Sequence, residues 1–510
     1  MHNRRAALQP YPGVSSLDAY DSIPYDRQSL AETHPDQLAV LARLFGVASP
    51  DPRTSRVLEL GCAAGGNLIP MAWYMPQARF LGLDLAQAQV ELGQALIQQL
   101  DLGNIEIRRA DVAEVDLGEQ GFDYIVAHGL YSWVPAPVRS ALLALIRRHL
   151  SPQGVAYVSF NALPGWQMRG MLRQMLLFHV RAVSAPVQRL QAAREFLQFL
   201  EAGLNGLQAL SADYLRRELA TLQHAPDSYL YHEYLAAVNE PVLFSDFVDD
   251  AHQAGLRYLC NSELHFQFPA TLGDAAERVL AGIGDPVARQ QYLDFLLNRN
   301  FHQALLVRAE QHAYTGPDYE QFAGLALFAD LEPPRKLDLR RAKPQLFTDP
   351  GGRQHRVSHP LSKAAVAYLG LVYPRAVDYA ELEAIARRQV AGTGDPRLAT
   401  QADHLFGELF QLFAYRAISA STQPGGGLAD HGEPPCSSPL ARLEAQSGRL
   451  VDSRHASLAL DPETAGVLRA LDGSLGRDAL TGHLRASGTA QRSVDPNTLL
   501  RRLARYGALC

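Results

Sequence analysis

Arg56–Asp84, RVLELGCAAGGNLIPMAWYMPQARFLGLD, is the stretch whose reading decides the fold. After Arg56 its strand, Val57–Leu60, is an apolar run broken only by Glu59, the pattern of a strand buried on both faces. Glycines at 61, 65 and 66 follow, then a helical segment, then a second apolar strand that closes on Asp84. A strand, a tight glycine turn, a helix and a second strand ending in a carboxylate place a nucleotide-like ligand at the carboxyl edge of a parallel sheet.

Outward from this stretch, strands and helices alternate. Strands are expected over Arg56–Leu60, Phe80–Asp84, Ile105–Asp111, Phe122–Gly129 and Gly154–Asn161, with helices over Ala86–Leu100 and Pro137–Leu150. This rhythm predicts an α/β fold with a doubly wound, Rossmann-like sheet. Before it, Thr33–Gly46 (THPDQLAVLARLFG) reads as a helix with Leu38, Leu41, Ala42 and Phe45 on one face and Gly46 as its stop. After Trp166 the rhythm lapses into helices over residues 167–240, an insertion above the carboxyl edge. It resumes with a strand after Gly255, a helix near Asp285–Leu297 and a strand within Asn298–Ala309, which makes seven strands in the sheet.

Beyond residue 310 the chain reads as two winged-helix-like α+β modules, 311–420 and 440–510, joined by a Pro/Gly/Ser-rich linker at 421–439. Segments beginning at His359 and Leu460 share a helix, turn and short helix order, a weak sign of duplication.

Size and composition narrow the function. The 510 residues call for several domains, and 47% apolar residues can give each a core. A net charge of -6 gives no reason to expect nucleic acid. Only three of the 47 basic residues are lysine, which fits a GC-rich genome. The four cysteines are far apart, so neither a metal site nor a disulfide framework is expected. The absence of a signal or long apolar run suggests a cytoplasmic protein without stable membrane association.

The glycine turn selects the ligand. A dinucleotide fingerprint needs a glycine where Ala63 stands, because backbone must approach a pyrophosphate there. Glu59 would repel that pyrophosphate but suits an ammonium. Asp84 can accept ribose hydroxyls, and Asp111 an adenine amine. Three carboxylates at successive strand ends suit a ligand with an amine, a ribose and an adenine but no phosphate, which describes S-adenosyl-L-methionine. Gly61, Cys62, Gly65 and Asn67 in the turn, Leu85 and Val112 after the acidic residues, His128, and Tyr25 in SIPYD as part of a lid are expected to line the same site.

The segment resembles the first motif of class I S-adenosylmethionine-dependent methyltransferases. THPDQLAVLARLFG, VLELGCAAGGNLIPMA, FDYIVAHGLYSWVP, GVAYVSFNALPGW, YHEYLAAVNEPVLFSDFV and QYLDFLLNRNFHQALLV extend the resemblance over residues 20–310. The group is one in which such a domain is joined to a methyltransferase regulatory domain, and it includes rickettsial protein lysine methyltransferases that act on an outer-membrane protein. The resemblance implies a seven-stranded methyltransferase sheet, a regulatory portion over 211–310 and a protein substrate.

The loops after the fourth and fifth strands, HGLYSWVP and NALPGW, supply the candidate acceptor pocket. His128, Tyr131 and Asn161 are the candidate catalytic residues. Trp133, Trp166 and, from YHEYL in the insertion, His232 and Glu233 are candidates for binding substrate. The fourth-strand loop is not the Asn/Asp-Pro-Pro-Tyr type, and it lacks a nucleophilic cysteine. Methylation of a protein nitrogen is the leading expectation. A metabolite or modified-peptide acceptor, with the extra modules making a homodimer, is the second. A non-catalytic cofactor-binding regulator is the third.

Overall fold

The computed structural model describes residues 22–23, 25, 27–268, 272–393, 397, 400–426, 435–474 and 496–509. Strand β1 (Arg56–Leu60) is central because its apolar run can be covered on both faces: Val57, Leu58 and Leu60 are fully buried. It pairs in parallel with β2 (Arg79–Asp84) on one side and β4 (Phe122–Ala127) on the other. β3 (Ile105–Arg109), β5 (Leu150–Asn161), β6 (Leu256–Asn261) and β7 (Phe301–Arg308) complete the order 3-2-1-4-5-7-6, with β7 antiparallel to both neighbours. All seven expected strands are present. β3 stops two residues short of Asp111, whose side chain instead accepts the Ala113 amide in a tight turn.

The period-2 alternation divides the chemistry between two faces. Val57, Tyr124, Val126, Val155 and Tyr157 belong to one core with α1 (Pro35–Leu44) and α2 (Leu68–Tyr74). Leu58, Leu60, Ile125, Ala127, Ala156, Val158 and Phe160 face a second core with the helices Ala136–His149 and Phe244–Gln253. Glu59, one residue from both Leu58 and Leu60, therefore lies on the first face.

Helix α1 departs from the one-sided pattern expected of it, since Ala39, Val40 and Leu44 are buried as well as Leu38, Leu41 and Ala42. The cause is a second covering layer. Its Gln37 donates to the Ala420 carbonyl, and Asp36 accepts from the amide and hydroxyl of Thr422. The first core continues through α1 into Leu331, Phe347, Leu361, Leu382 and Leu409. A helix packed on both sides is apolar nearly all round.

The insertion comprises the helices Gly165–His179, Pro186–Leu204 and Leu210–Gln223 and a π-helical turn, Tyr231–Leu235, around a core of its own. The helix Pro286–Leu297 is capped by Asp285, which accepts from Val287 and Ala288.

In the carboxyl-terminal half, strand Ala326–Phe328 pairs with Val377–Asp378 and Ser419–Ser421, packed with helices Pro360–Val372, Tyr379–Ala391 and Ala402–Ala414. A hairpin, Arg449–Val451 with Ser457–Ala459, follows. Residues 427–434 of the expected linker, and 475–484 of the weakly duplicated segment, lie outside the described residues. Among the described residues, no helix is long and apolar enough to cross a membrane.

Candidate functional site

The glycine turn starts where β1 ends. Gly61 and Gly65 have φ of 76° and 73°, and Ala63 shares the left-handed region at 46°. Asp84 fixes this turn as well as ending β2: one carboxylate oxygen accepts the Ala63 amide at 2.8 Å and the other the Ala86 amide at 2.9 Å. Its carboxylate stands at the carboxyl end of β2, where a ligand's ribose would lie. Asp111 is half-buried, and Leu85 is exposed beyond Asp84.

Glu59 is 4% exposed. Its Oε1 accepts from Asn67 Nδ2 at 3.0 Å, whereas Oε2 is buried and has no hydrogen-bond partner among the described residues. Burial pushes its carboxyl up to about 8, against the pull of the Asn67 hydrogen bond. A buried carboxylate oxygen without a partner is costly and marks a place for a cationic or hydrogen-bond-donating group. The ammonium of S-adenosylmethionine fits that place, and the residues present suit the cofactor.

Asn67, at the start of α2, makes four contacts. Its amide donates to Glu59 and to Thr33 Oγ1 (2.9 Å), and its oxygen accepts from the Leu30 amide (3.0 Å) and from His455 Nε2 (2.8 Å). The amino-terminal segment also runs across the turn: a Cβ on Gly66 would lie 2.8 Å from Arg27 Cα. Tyr25 stacks on His232 at 4.1 Å, and His232 contacts the Ile23 carbonyl at 2.6 Å. The amino-terminal segment thus bridges the turn and the insertion. Cys62 is buried, and burial pushes its thiol well up, so it is an inert neighbour of the turn.

The acceptor candidates separate by face. His128 lies on the Glu59 face, with Nδ1 3.0 Å from the Tyr157 hydroxyl; burial lowers its pKa and keeps it neutral. The Gly129 amide donates to Ser159, steadying the loop. Asn161 Nδ2 donates to Asn239 Oδ1 at 3.1 Å, and Asn239 donates to the Glu233 carbonyl at 3.3 Å, so β5 meets the π-helical turn here. Burial raises the Glu233 carboxyl to about 7, opposed by Arg169 and Arg173.

Tyr131 is elsewhere. It is fully buried on the opposite face against Phe160 and Phe247, and its hydroxyl donates to Asp250 Oδ2 at 2.7 Å. It shares the second core with Ile125 and Ala127, the face opposite Glu59 and His128, which sets it outside the candidate pocket. Trp133 is half-buried beside it. Trp166 is 3% exposed and packs against Tyr234 and Arg169 of the insertion. Val112 packs at the margin of the second core.

Sequence reading missed Thr33, Tyr157, Asn239 and His455. Thr33 was visible only as the start of a helix, and nothing near His455 signalled a site.

The sheet order and the three carboxylates at its carboxyl edge define a class I, S-adenosylmethionine-dependent methyltransferase. The model of a methyltransferase domain matches residues 57–154, and that of a "Predicted methyltransferase regulatory domain" matches residues 226–308. The structure of PKMT2 from Rickettsia typhi in complex with AdoHcy, S-adenosylhomocysteine, is similar with a TM-score of 0.82 and 25% identity over 95% of this chain and 100% of that one. Two Rickettsia prowazekii proteins are 33% identical. RP028 matches over 47% of this chain and 96% of its own length, RP789 over 65% and 61%. The match to RP789 therefore spans less than two thirds of that relative. The chain belongs to the family of S-adenosylmethionine-dependent methyltransferases that carry a methyltransferase regulatory domain.

Proposed function

We propose that the chain methylates nitrogen on a protein side chain, with lysine as the acceptor. The observation that carries this reading is the junction of Asn161, Asn239 and the Glu233 turn, which sets the Asn239 side-chain oxygen and the Glu233 carbonyl oxygen beside the β5 end, on the face that holds Glu59 and His128. Oxygen acceptors and buried aromatic rings suit an amine, and the resemblance to rickettsial protein lysine methyltransferases supports the same acceptor. Residues 1–310 form the methyltransferase portion in this reading, and the modules at 311–420 and 440–510, joined at 421–439, hold the protein substrate.

When bound, S-adenosylmethionine supplies an electrophilic methyl on a sulfonium, which leaves as a neutral thioether. Glu59, oriented by Asn67, would hold its amine, Asp84 its ribose and Asp111 its adenine. The acceptor must arrive as a neutral amine with its lone pair in line with the methyl, so the chain's task is proton removal and orientation. Glu233, titrating near neutrality, can take the proton that the ammonium sheds. His128, kept neutral by burial and fixed by Tyr157, orients without adding a repelling charge. These residues would hold that lone pair in line with the methyl the cofactor would supply.

Purified protein incubated with methyl-labelled S-adenosylmethionine and a cell lysate tests this reading. Label in a protein band that yields methyl-lysine on acid hydrolysis is expected. Label confined to small molecules would replace it with a metabolite methyltransferase, and cofactor binding without transfer would leave a regulatory binder.

A further inference from the structure

Asn67 is the only side chain among the described residues that donates a hydrogen bond to Glu59, and one of its four hydrogen bonds comes from the far end of the chain. Its oxygen also accepts the Leu30 backbone amide, which can only donate, so the amide orientation is fixed and His455 Nε2 must carry the proton. His455 is 2% exposed, and its Nδ1 has no partner among the described residues. Its φ of 64° lies in the left-handed region, which a side chain of this size occupies at a cost.

A dedicated turn holds that conformation. Asp452, fully buried, accepts from the Arg454 and Ala456 amides at 2.9 and 2.8 Å and from the Tyr373 hydroxyl. Arg454 donates to the carbonyls of Pro374 (2.8 Å) and Gly425 (2.7 Å) and lies over the Phe328 ring. Tyr74, at the end of α2, donates to the Val451 carbonyl at 3.1 Å. A second strut runs from Glu444 to Arg27, 3.6 Å away, whose backbone covers Gly66.

We propose that His455 is a positioning residue of the methyl-donor site. It acts through Asn67 on Glu59, so that docking of the Arg449–Ala459 hairpin and binding of the donor's amino-acid end are thermodynamically linked. The inference rests on Glu59 as the ammonium partner. Linkage is reciprocal: whatever loosens the hairpin weakens donor binding, and donor binding tightens the hairpin. A protein substrate held by the carboxyl-terminal modules thereby gains a route to the donor pocket.

The test uses the full chain and S-adenosylhomocysteine as probe. In the wild-type protein, saturation with the probe should slow amide hydrogen exchange in the segment 449–459. His455→Gly tolerates the positive φ but lacks the donor, and it should weaken calorimetric affinity about tenfold, the scale of orphaning a buried acceptor. It should also abolish the slowed exchange. His455→Gln returns an N–H at a similar reach and should recover most of the affinity. Normal binding with unchanged exchange in 449–459 of the wild-type protein overturns the linkage while leaving the donor site standing, and this arm needs no variant to fold. Unchanged affinity in a folded His455→Gly protein overturns it as well. Failure of the wild-type protein to bind the probe overturns both the linkage and the assignment of Glu59.

Discussion

Asn67 accepts a 2.8 Å hydrogen bond from His455, 388 residues further along the chain, and passes that support to Glu59 through its own amide. A strand-end carboxylate, a helix start, the amino-terminal segment and a carboxyl-terminal hairpin thus meet at one side chain. The carboxyl-terminal half is part of the wall behind the glycine turn, and the behaviour of Glu59 follows from that enclosure.

Glu59 should make donor binding pH-dependent. Its carboxyl is raised from 4.5 to about 8 by burial, and Asp84 adds to the rise. The folded, ligand-free protein holds this proton more tightly than the unfolded chain does. Its contribution to stability is therefore complete below pH 4.5 and is lost as pH rises through about 8. An ammonium-bearing ligand favours the ionised form, so its binding at pH 7 should expel a proton. Calorimetry of S-adenosylhomocysteine binding in buffers of different ionisation enthalpy reads this release. Glu59→Gln should abolish it and flatten the decline of the melting temperature between pH 5 and 8.

Tyr131→Phe should leave turnover within about twofold of wild type while costing about 1 kcal/mol of stability, the worth of a hydrogen bond such as that to Asp250. Steady-state kinetics beside denaturant unfolding separates the two effects. A large loss in kcat with unchanged stability would return Tyr131 to the acceptor pocket.

The contrast between Tyr131 and His128 shows where sequence reading stops. The sheet was legible because its strands are apolar runs separated by recognisable turns, and Glu59, Asp84 and Asp111 could be placed by position in that frame. His128 and Tyr131 fall together in the sequence because both lie in the loop after β4, but β4 ends at Ala127, and beyond it Tyr131 turns into the second core while His128 stays on the Glu59 side. Helix α1 looked one-sided because its second covering layer comes from residues near 420, and His455 was invisible for the same reason of distance in sequence. Local pattern encodes elements, whereas contacts across hundreds of residues are set by the packing of whole layers.

Gly66→Ala should act on the amino-terminal segment. The added Cβ would meet the Arg27 backbone at 2.8 Å, and that segment must move because backbone cannot rotate away as a side chain does. Weakened S-adenosylhomocysteine affinity with a melting temperature close to wild type is the expected pair of readings. Gly65→Ala differs: its φ of 73° and a 2.5 Å approach to Ile107 Cδ1 add backbone strain to overpacking. A loss of about 1–3 kcal/mol in stability should accompany its loss of binding.

A buried ionic cluster within the regulatory portion should matter for folding rather than chemistry. Asp294, fully buried, meets Arg299 at 3.0 Å and His302 Nε2 at 2.6 Å, and accepts from Gln290 at 2.9 Å. His302 stacks on Phe160 and Phe244 between β5 and the helix Phe244–Gln253, so the cluster pins β7 to both. Asp294→Ala would leave the Arg299 charge buried without its counter-ion, which costs about 3–5 kcal/mol in such sites. Asp294→Leu together with Arg299→Met and His302→Phe should recover part of that loss, because no charge is then buried unpaired, although Gln290 and Asn261 lose a partner each. Urea unfolding of the single and triple variants distinguishes the two outcomes, and the triple variant should bind S-adenosylhomocysteine as the wild type does. Loss of binding in a triple variant of normal stability would instead place this cluster within the reach of the donor site.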